Sequence, residues 1–120
     1  MARIVRQVNS PNVKVLWDPG NEVHGGRSAY PEGYQAVKKL IGQVHLKDAY
    51  VNQDGQGVCV PIGEGRVPFA AQLQALQQNG YRGLFTIETH YVPAGGNAMQ
   101  GTEMTLAGLR KLVLETANER

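Results

Sequence analysis

Three stretches of sequence decide the fold: the segment VHLKD (residues 44–48), the loop VPIGEGRVPF (residues 60–69) and the segment FTIETH (residues 85–90). The first and last are apolar strand patterns that end in residues able to bind a metal, and the middle one is a glycine-rich loop that leads into a helix. A third strand pattern, NVKVLW (residues 12–17), ends in DPGN (residues 18–21). Acidic and imidazole side chains therefore recur at the carboxyl ends of successive strands, where parallel α/β folds build their active sites.

Helical patterns separate these strands. We predict strands at residues 13–17, 43–47 and 83–88. We predict helices over residues 1–8, from Pro31 to a stop at Gly42, from Pro68 to a stop at Asn79-Gly80, and from Thr102 or the residue before it. The loop at residues 50–60 reads as a small β-hairpin. Alternation of strands and helices predicts an α/β fold with three parallel βα units.

The composition fits one domain over residues 1–120. The net charge of +2 is too small to favour binding to nucleic acid or to an anionic membrane. No apolar run approaches the roughly 20 residues of a membrane span, and the N-terminal residues do not form a signal peptide. The single cysteine, Cys59, excludes a disulfide framework and a thiolate zinc cluster. We therefore expect a cytoplasmic protein.

The alternation of side chains along each strand predicts a polar cavity on one face of the sheet. Gln43, His45 and Lys47 share one face of the second strand, and three such side chains are costly to bury without partners. Asp18 lies at the end of the first strand and Glu88 at the end of the third. Both are expected on the same side of the sheet as His45.

One imidazole and two carboxylates without a thiolate suit a divalent ion such as Mn²⁺, Mg²⁺, Co²⁺ or Zn²⁺. Each residue also has an ordinary structural interpretation. Asp18 before Pro-Gly stabilises turns, His45 fits a hydrogen-bonded core position, and Glu88 fits a salt bridge. Their shared location at strand ends favours a metal site formed by all three.

Four further residues are candidates for binding a substrate or an anion. Lys47 suits an anionic group or a structural ion pair, and His24 suits a substrate contact or a solvated loop position. Glu64 lies between Gly63 and Gly65, where backbone amides can bind a phosphate, although turn geometry explains these glycines equally well. Asn21 follows the first strand beside Asp18.

At these residues the sequence resembles the sugar phosphate isomerase/epimerase superfamily, the xylose isomerase-like TIM barrels. The matching motifs, in order, are DPGN (residues 18–21), HLKD (residues 45–48), GEG (residues 63–65) and IE (residues 87–88). The resemblance covers nearly the whole chain but only the C-terminal half of the family's barrel. It is strongest to L-ribulose-5-phosphate 3-epimerase-like and hydroxypyruvate isomerase-like members. The implied fold is a partial (β/α) barrel with a loop hairpin.

The resemblance also implies roles. Asp18, His45 and Glu88 become metal ligands, and Glu88 becomes the catalytic acid/base that moves a proton at the carbon next to a ketose carbonyl. In this family the metal polarises that carbonyl. Asn21 occupies a position where many relatives have a substrate-binding histidine, so we expect an altered contact there.

One feature of the family has no match in this sequence, namely the catalytic glutamate of the fifth barrel strand. Three possibilities follow: the chain is a fragment or relic, it forms a homo-oligomer, or it joins a partner that supplies the N-terminal half of the barrel. The expected substrate is a small sugar or sugar phosphate. The alternative is a non-catalytic half-barrel that binds a metal or ligand or serves in assembly. A third interpretation, the endonuclease IV branch, is disfavoured by the small net charge and by the presence of only three histidines.

Overall fold

The computed structural model describes residues 1–118. Within them lie five α-helices and five strands. The helices are α1 (Ala2–Val8), α2 (Pro19–His24), α3 (Tyr34–Val37), α4 (Phe69–Gln78) and α5 (Ala98–Asn118). The strands are β1 (Val15–Trp17), β2 (Ile41–Leu46), β3 (Asp48–Val51), β4 (Gly57–Val60) and β5 (Leu84–Ile87), and a π-helical turn at Ala29–Gly33 precedes α3.

Strands β1, β2 and β5 form a parallel sheet in that order. Trp17 pairs with Val44 across β1 and β2, and His45 pairs with Thr86 across β2 and β5. Each strand thus lies beside the next parallel strand along the chain, as successive βα units do in a barrel. The expected α/β fold with three parallel strands is confirmed.

The two faces of this sheet differ in burial. Val15, Trp17 and Val44 are at most 2% exposed and pack under the helices. On the opposite face Leu16 is 45% exposed and Leu84 is 72% exposed. The predicted alternation is therefore correct for β1 and β2, and the face that would line a barrel lies open. In β5 the burial does not alternate in this way, because Phe85 on the helix side is itself 44% exposed. The helix-covered core is completed by Tyr34, Val37, Leu46, Ile62, Val67, Phe69 and Leu76.

Strands β3 and β4 form the predicted hairpin, in which Asp48 pairs with Val60 and Val51 with Gly57. The hairpin begins at Asp48, separated from the end of β2 by one residue, and packs against α2. A Cβ atom placed on Gly57 would collide with His24, the last residue of α2. The hairpin therefore supports α2 from the side.

Two predictions about the chain before β2 were wrong. Residues 18–24 were expected to form a turn and loop, but they form α2, because Asp18 caps the helix and Pro19 fits its first position. The next helix was expected to reach Gly42, yet α3 ends at Val37. The carbonyl of Leu40 accepts a hydrogen bond from the amide of Val15 at 2.8 Å, so the chain joins the sheet early and Gly42 lies in β2.

The last helix begins before the expected cap at Thr102. Asn97 and Gln100 form a reciprocal pair, in which the Gln100 amide donates to the Asn97 side chain at 3.1 Å and the Asn97 amide donates to the Gln100 side chain at 2.9 Å. This arrangement is a capping box, so α5 begins at Ala98. Within the described part of the chain no helix, α5 included, has both the length and the apolar character needed to cross a membrane.

Candidate metal centre

The carboxyl ends of the three parallel strands bring Asp18, His45 and Glu88 together. Asp18 directly follows β1, His45 is the penultimate residue of β2, and Glu88 directly follows β5. The Glu88 amide donates to the carbonyl of Leu46 at 3.2 Å, so Glu88 continues the pairing of β5 with β2. One ligand atom from each of the three residues lies within 4.8 Å of the others. The sequence-predicted triad is thus assembled in space.

The imidazole lies close to both carboxylates. His45 Nδ1 is 3.7 Å from Asp18 Oδ2 and 3.5 Å from Glu88 Oε2. The Asp18 side chain is 6% exposed, that of His45 is 18% exposed and that of Glu88 is 35% exposed. Solvent therefore reaches the cluster from the Glu88 side, through the open face of the sheet. One nitrogen and two carboxylate oxygens at this separation fit a divalent ion of the Mn²⁺, Mg²⁺, Co²⁺ or Zn²⁺ class.

Lys47 is the fourth member of the cluster. Its Nζ lies 2.6 Å from Glu88 Oε2 and 3.1 Å from Asp18 Oδ2, and its side chain is 4% exposed. Burial alone would lower the pKa of Lys47, but its hydrogen bonds to Glu88 and Asp18 outweigh burial and raise that pKa above its ordinary value. The same hydrogen bond from Lys47 lowers the pKa of Glu88 to about 2. Both groups are therefore charged at neutral pH.

Asp18 has a second task as the cap of α2. Its Oδ1 accepts the backbone amide of Asn21 at 2.9 Å, and its Oδ2 accepts the Asn21 side-chain amide at 3.0 Å. Gly20 lets α2 approach β2, because a Cβ atom there would collide with the carbonyl oxygen of Lys47. Asn21, predicted to contact substrate, therefore lies exposed beside the triad and orients one of its carboxylates.

The glycine-rich loop is organised by Asp48, which is 1% exposed. The amides of Gly63 and Gly65 both donate to Asp48 Oδ2 at 2.9 Å, and the amide of Glu64 donates to the carbonyl of Pro61. These three amides are thus engaged within the protein. The side chains of Glu64 and Arg66 are the exposed charged groups of this loop. Asp48 belongs to the HLKD motif, and its contacts with this loop were not predicted from the sequence.

The two remaining histidines occupy different positions relative to the triad. His24 is exposed at the end of α2, next to Gly57 of the hairpin. His90 Nε2 lies 3.6 Å from Glu88 Oε1, and its side chain is 56% exposed. Sequence reasoning assigned His90 no role, although its position two residues after Glu88 places it on the same side of an extended chain.

Comparisons with known proteins identify the family and the fold. The family model described as "Xylose isomerase-like TIM barrel" matches residues 1–112. An uncharacterized protein of Methanocaldococcus jannaschii is 28% identical over 124 residues, which cover 100% of this chain and 38% of that protein.

Two solved structures share the fold. A xylose isomerase domain protein from Planctomyces limnophilus superposes with a TM-score of 0.75 at 26% identity, covering 98% of this chain and 42% of that one. A xylose isomerase domain-containing protein from Salmonella typhimurium gives a TM-score of 0.59 at 21% identity, covering 92% of this chain and 43% of that one. This chain thus spans about two fifths of each relative, and its sheet corresponds to a partial TIM barrel. The chain belongs to the xylose isomerase-like TIM barrel family.

Proposed function

We propose that this chain is a sugar phosphate isomerase/epimerase-like protein that holds a divalent metal through Asp18, His45 and Glu88. The observation that carries the proposal is the convergence of one imidazole and two carboxylates within 4.8 Å at the ends of parallel strands. Membership of the xylose isomerase-like family supports this interpretation. The reaction we propose is proton transfer at the carbon next to a ketose carbonyl.

A bound divalent ion supplies Lewis-acid polarisation of the substrate carbonyl. The chain itself supplies fixed ligands and a base. Asp18 is held by the start of α2, and His45 is held by its place in the central strand. Glu88 is the most exposed of the three and is ionised at neutral pH because its pKa is about 2. We assign Glu88 the role of catalytic acid/base, acting on substrate that enters from the open face.

We further propose a small sugar or sugar phosphate as the substrate, in the manner of L-ribulose-5-phosphate 3-epimerase-like or hydroxypyruvate isomerase-like members. Asn21, His24 and Glu64 are exposed around the strand ends and are proposed to contact it. Lys47 is the fourth candidate for binding substrate, and its side chain, at 4% exposure, is the least accessible of the four.

The open sheet supports a role for a second half-barrel. Edge strands β1 and β5 have no further partner within residues 1–118, and Leu16 and Leu84 are exposed on the uncovered face. We propose that another copy of the chain, or a chain with the N-terminal half, covers these edges. A chain with the N-terminal half would also supply the second acid/base group that inversion at carbon requires. A cytoplasmic location stays an expectation from the single cysteine.

A second candidate function is a non-catalytic half-barrel that binds metal or ligand or serves in assembly. It is favoured by the same open face. It is also favoured because Glu88 is the single carboxylate at the exposed side of the triad, whereas inversion at carbon requires a second acid/base group. This candidate differs from the first in a single measurable respect, which is whether protons on the substrate carbon exchange with solvent.

The deciding experiment follows deuterium incorporation from D₂O into L-ribulose 5-phosphate and hydroxypyruvate by NMR, with Mn²⁺ present during the reaction and removed before detection. We expect exchange with the wild-type chain, its loss in Glu88→Gln and its retention in Glu115→Gln, a control on the exposed face of α5. Metal binding without exchange would instead support the non-catalytic half-barrel.

A further inference from the structure

We propose that Lys47 is a built-in counter-ion whose ammonium occupies the carboxylate pair in the metal-free protein and is displaced when a divalent ion binds. Lys47 would thereby set how tightly the centre binds metal. This inference rests on the proposed metal site at Asp18, His45 and Glu88.

The first argument is that metal and ammonium need the same atoms. Asp18 Oδ2 and Glu88 Oε2 are the two oxygens that face His45 Nδ1, at 3.7 and 3.5 Å. The same two oxygens contact Lys47 Nζ, at 3.1 and 2.6 Å. The ammonium therefore already bridges the carboxylates that a metal would bridge.

The second argument is electrostatic. Metal–ligand bonds of about 2.0–2.2 Å to these oxygens would place a divalent ion within roughly 5 Å of Nζ in its present position. Repulsion between a dication and an ammonium is strong at that distance, because the side chains of Asp18 and Lys47 are only 6% and 4% exposed. The carboxylates carry two negative charges, which one divalent ion neutralises alone. An ammonium that stays in place would leave an excess positive charge.

The third argument concerns the lysine side chain. Lys47 is held by these two ion pairs at 4% exposure. Its flexible four-carbon stem allows Nζ to swing away without movement of the strand, which a rigid guanidinium fork would not allow as readily. The side chain of Glu88 is 35% exposed, so the cluster is open to solvent on the Glu88 side.

The test is calorimetric titration of Mn²⁺ into the wild-type chain and the variants Lys47→Met, Lys47→Arg and Lys111→Met. Lys111 is 78% exposed on α5 and serves as the matched control. We expect Lys47→Met to bind Mn²⁺ at least about tenfold more tightly than wild type, while Lys47→Arg, which keeps the charge, gains no affinity. Lys111→Met should match wild type.

Equal or weaker Mn²⁺ binding by Lys47→Met would overturn the counter-ion role while leaving the metal site intact. Equal gains in Lys47→Met and Lys47→Arg would also overturn it, since charge would then not be the cause. Absence of binding in every variant would overturn the metal site as well.

If Lys47→Met does not fold, an NMR measurement on the wild-type chain tests the displacement of Lys47 instead. We expect the side-chain ¹⁵Nζ signal of the ion-paired Lys47, assigned by its loss in Lys47→Arg, to disappear on saturation with Zn²⁺. An unchanged signal at saturation would contradict displacement.

Discussion

Lys47 Nζ and Glu88 Oε2 lie 2.6 Å apart, although the two residues are separated by 41 positions in the chain. The contact joins the end of the central strand β2 to the end of the edge strand β5. It fixes Glu88, the triad carboxylate that does not cap a helix. The candidate centre is therefore ordered through a side-chain ion pair as well as through the sheet.

Acid should weaken this contact in a defined direction. The pKa of Glu88 falls from 4.5 to about 2 in the folded chain, mainly through the hydrogen bond from Lys47. A lowered folded-state pKa contributes stability that is complete above pH 4.5 and is lost as the pH falls toward 2. We expect Glu88→Gln to be less stable than wild type at pH 6, with a difference that shrinks at pH 2.5, measured by urea unfolding. A pH-independent difference would contradict the ion pair, and Glu115→Gln is the exposed control.

Asp48 should matter more for stability than any exposed acidic residue. Its carboxylate accepts four backbone amides at 2.9 to 3.1 Å, from Ala49, Gly63, Gly65 and Val67. Asp48→Ala leaves these donors without their acceptor in a buried place, and we expect a loss of at least about 3 kcal/mol in the free energy of unfolding. Asp54→Ala, on the exposed hairpin turn, should change it by less than about 0.5 kcal/mol. Similar losses in both variants, measured by denaturant unfolding, would refute this role for Asp48.

Gly20 should be required for the close approach of α2 to β2. A Cβ atom at Gly20 meets the backbone carbonyl of Lys47, which cannot rotate away as a side chain can. We expect Gly20→Ala to lower the free energy of unfolding by about 1–3 kcal/mol. The same substitution at Gly25 brings its Cβ to 3.2 Å from the movable end of the Arg27 side chain and to 3.3 Å from the backbone carbonyl oxygen of Asn21. At Gly20 the backbone oxygen is much closer, so the change at Gly25 should cost less. Equal losses of stability in the two variants would show that the contact with the Lys47 carbonyl does not determine the cost of Gly20→Ala.

The solution mass tests the proposal that a second copy covers the open sheet. One chain has a mass of 13.1 kDa. We expect light scattering to give at least twice that value, because Leu16 and Leu84 are exposed on the uncovered face. A folded monomer would contradict self-association and leave the chain with the N-terminal half as the proposed partner. Leu84→Lys should shift any oligomer toward monomer.

The parallel sheet and the triad were predictable because both depend on local patterns. Alternation of apolar and polar residues along 43–47 places His45 on the open face, and strand ends at Asp18 and Glu88 are marked by the neighbouring sequence. These features require no knowledge of distant contacts, and the structure brings the three residues together as expected.

Other features depend on tertiary contacts and were missed or left open. The sequence Asp18-Pro19-Gly20 suits a turn and a helix start equally. The contact between α2 and the hairpin joins segments that are distant in the chain, so the local sequence does not show it. The partner of Lys47 depends on the register of β2 against β5, which pairs Leu46 with Ile87. Pattern alone does not determine that register, so the bridging position of Lys47 could not be derived from it.

The central claim, a divalent metal held by Asp18, His45 and Glu88, is tested most directly by the melting temperature with and without Mn²⁺. The variants to compare are wild type, Asp18→Ala/His45→Ala, and His24→Ala as a control outside the triad. We expect Mn²⁺ to raise the melting temperature of wild type and His24→Ala by several degrees, because ligand that binds only the folded state stabilises it. The double variant should show no shift. The same Mn²⁺-dependent shift in the double variant, or none in wild type, would contradict the metal assignment.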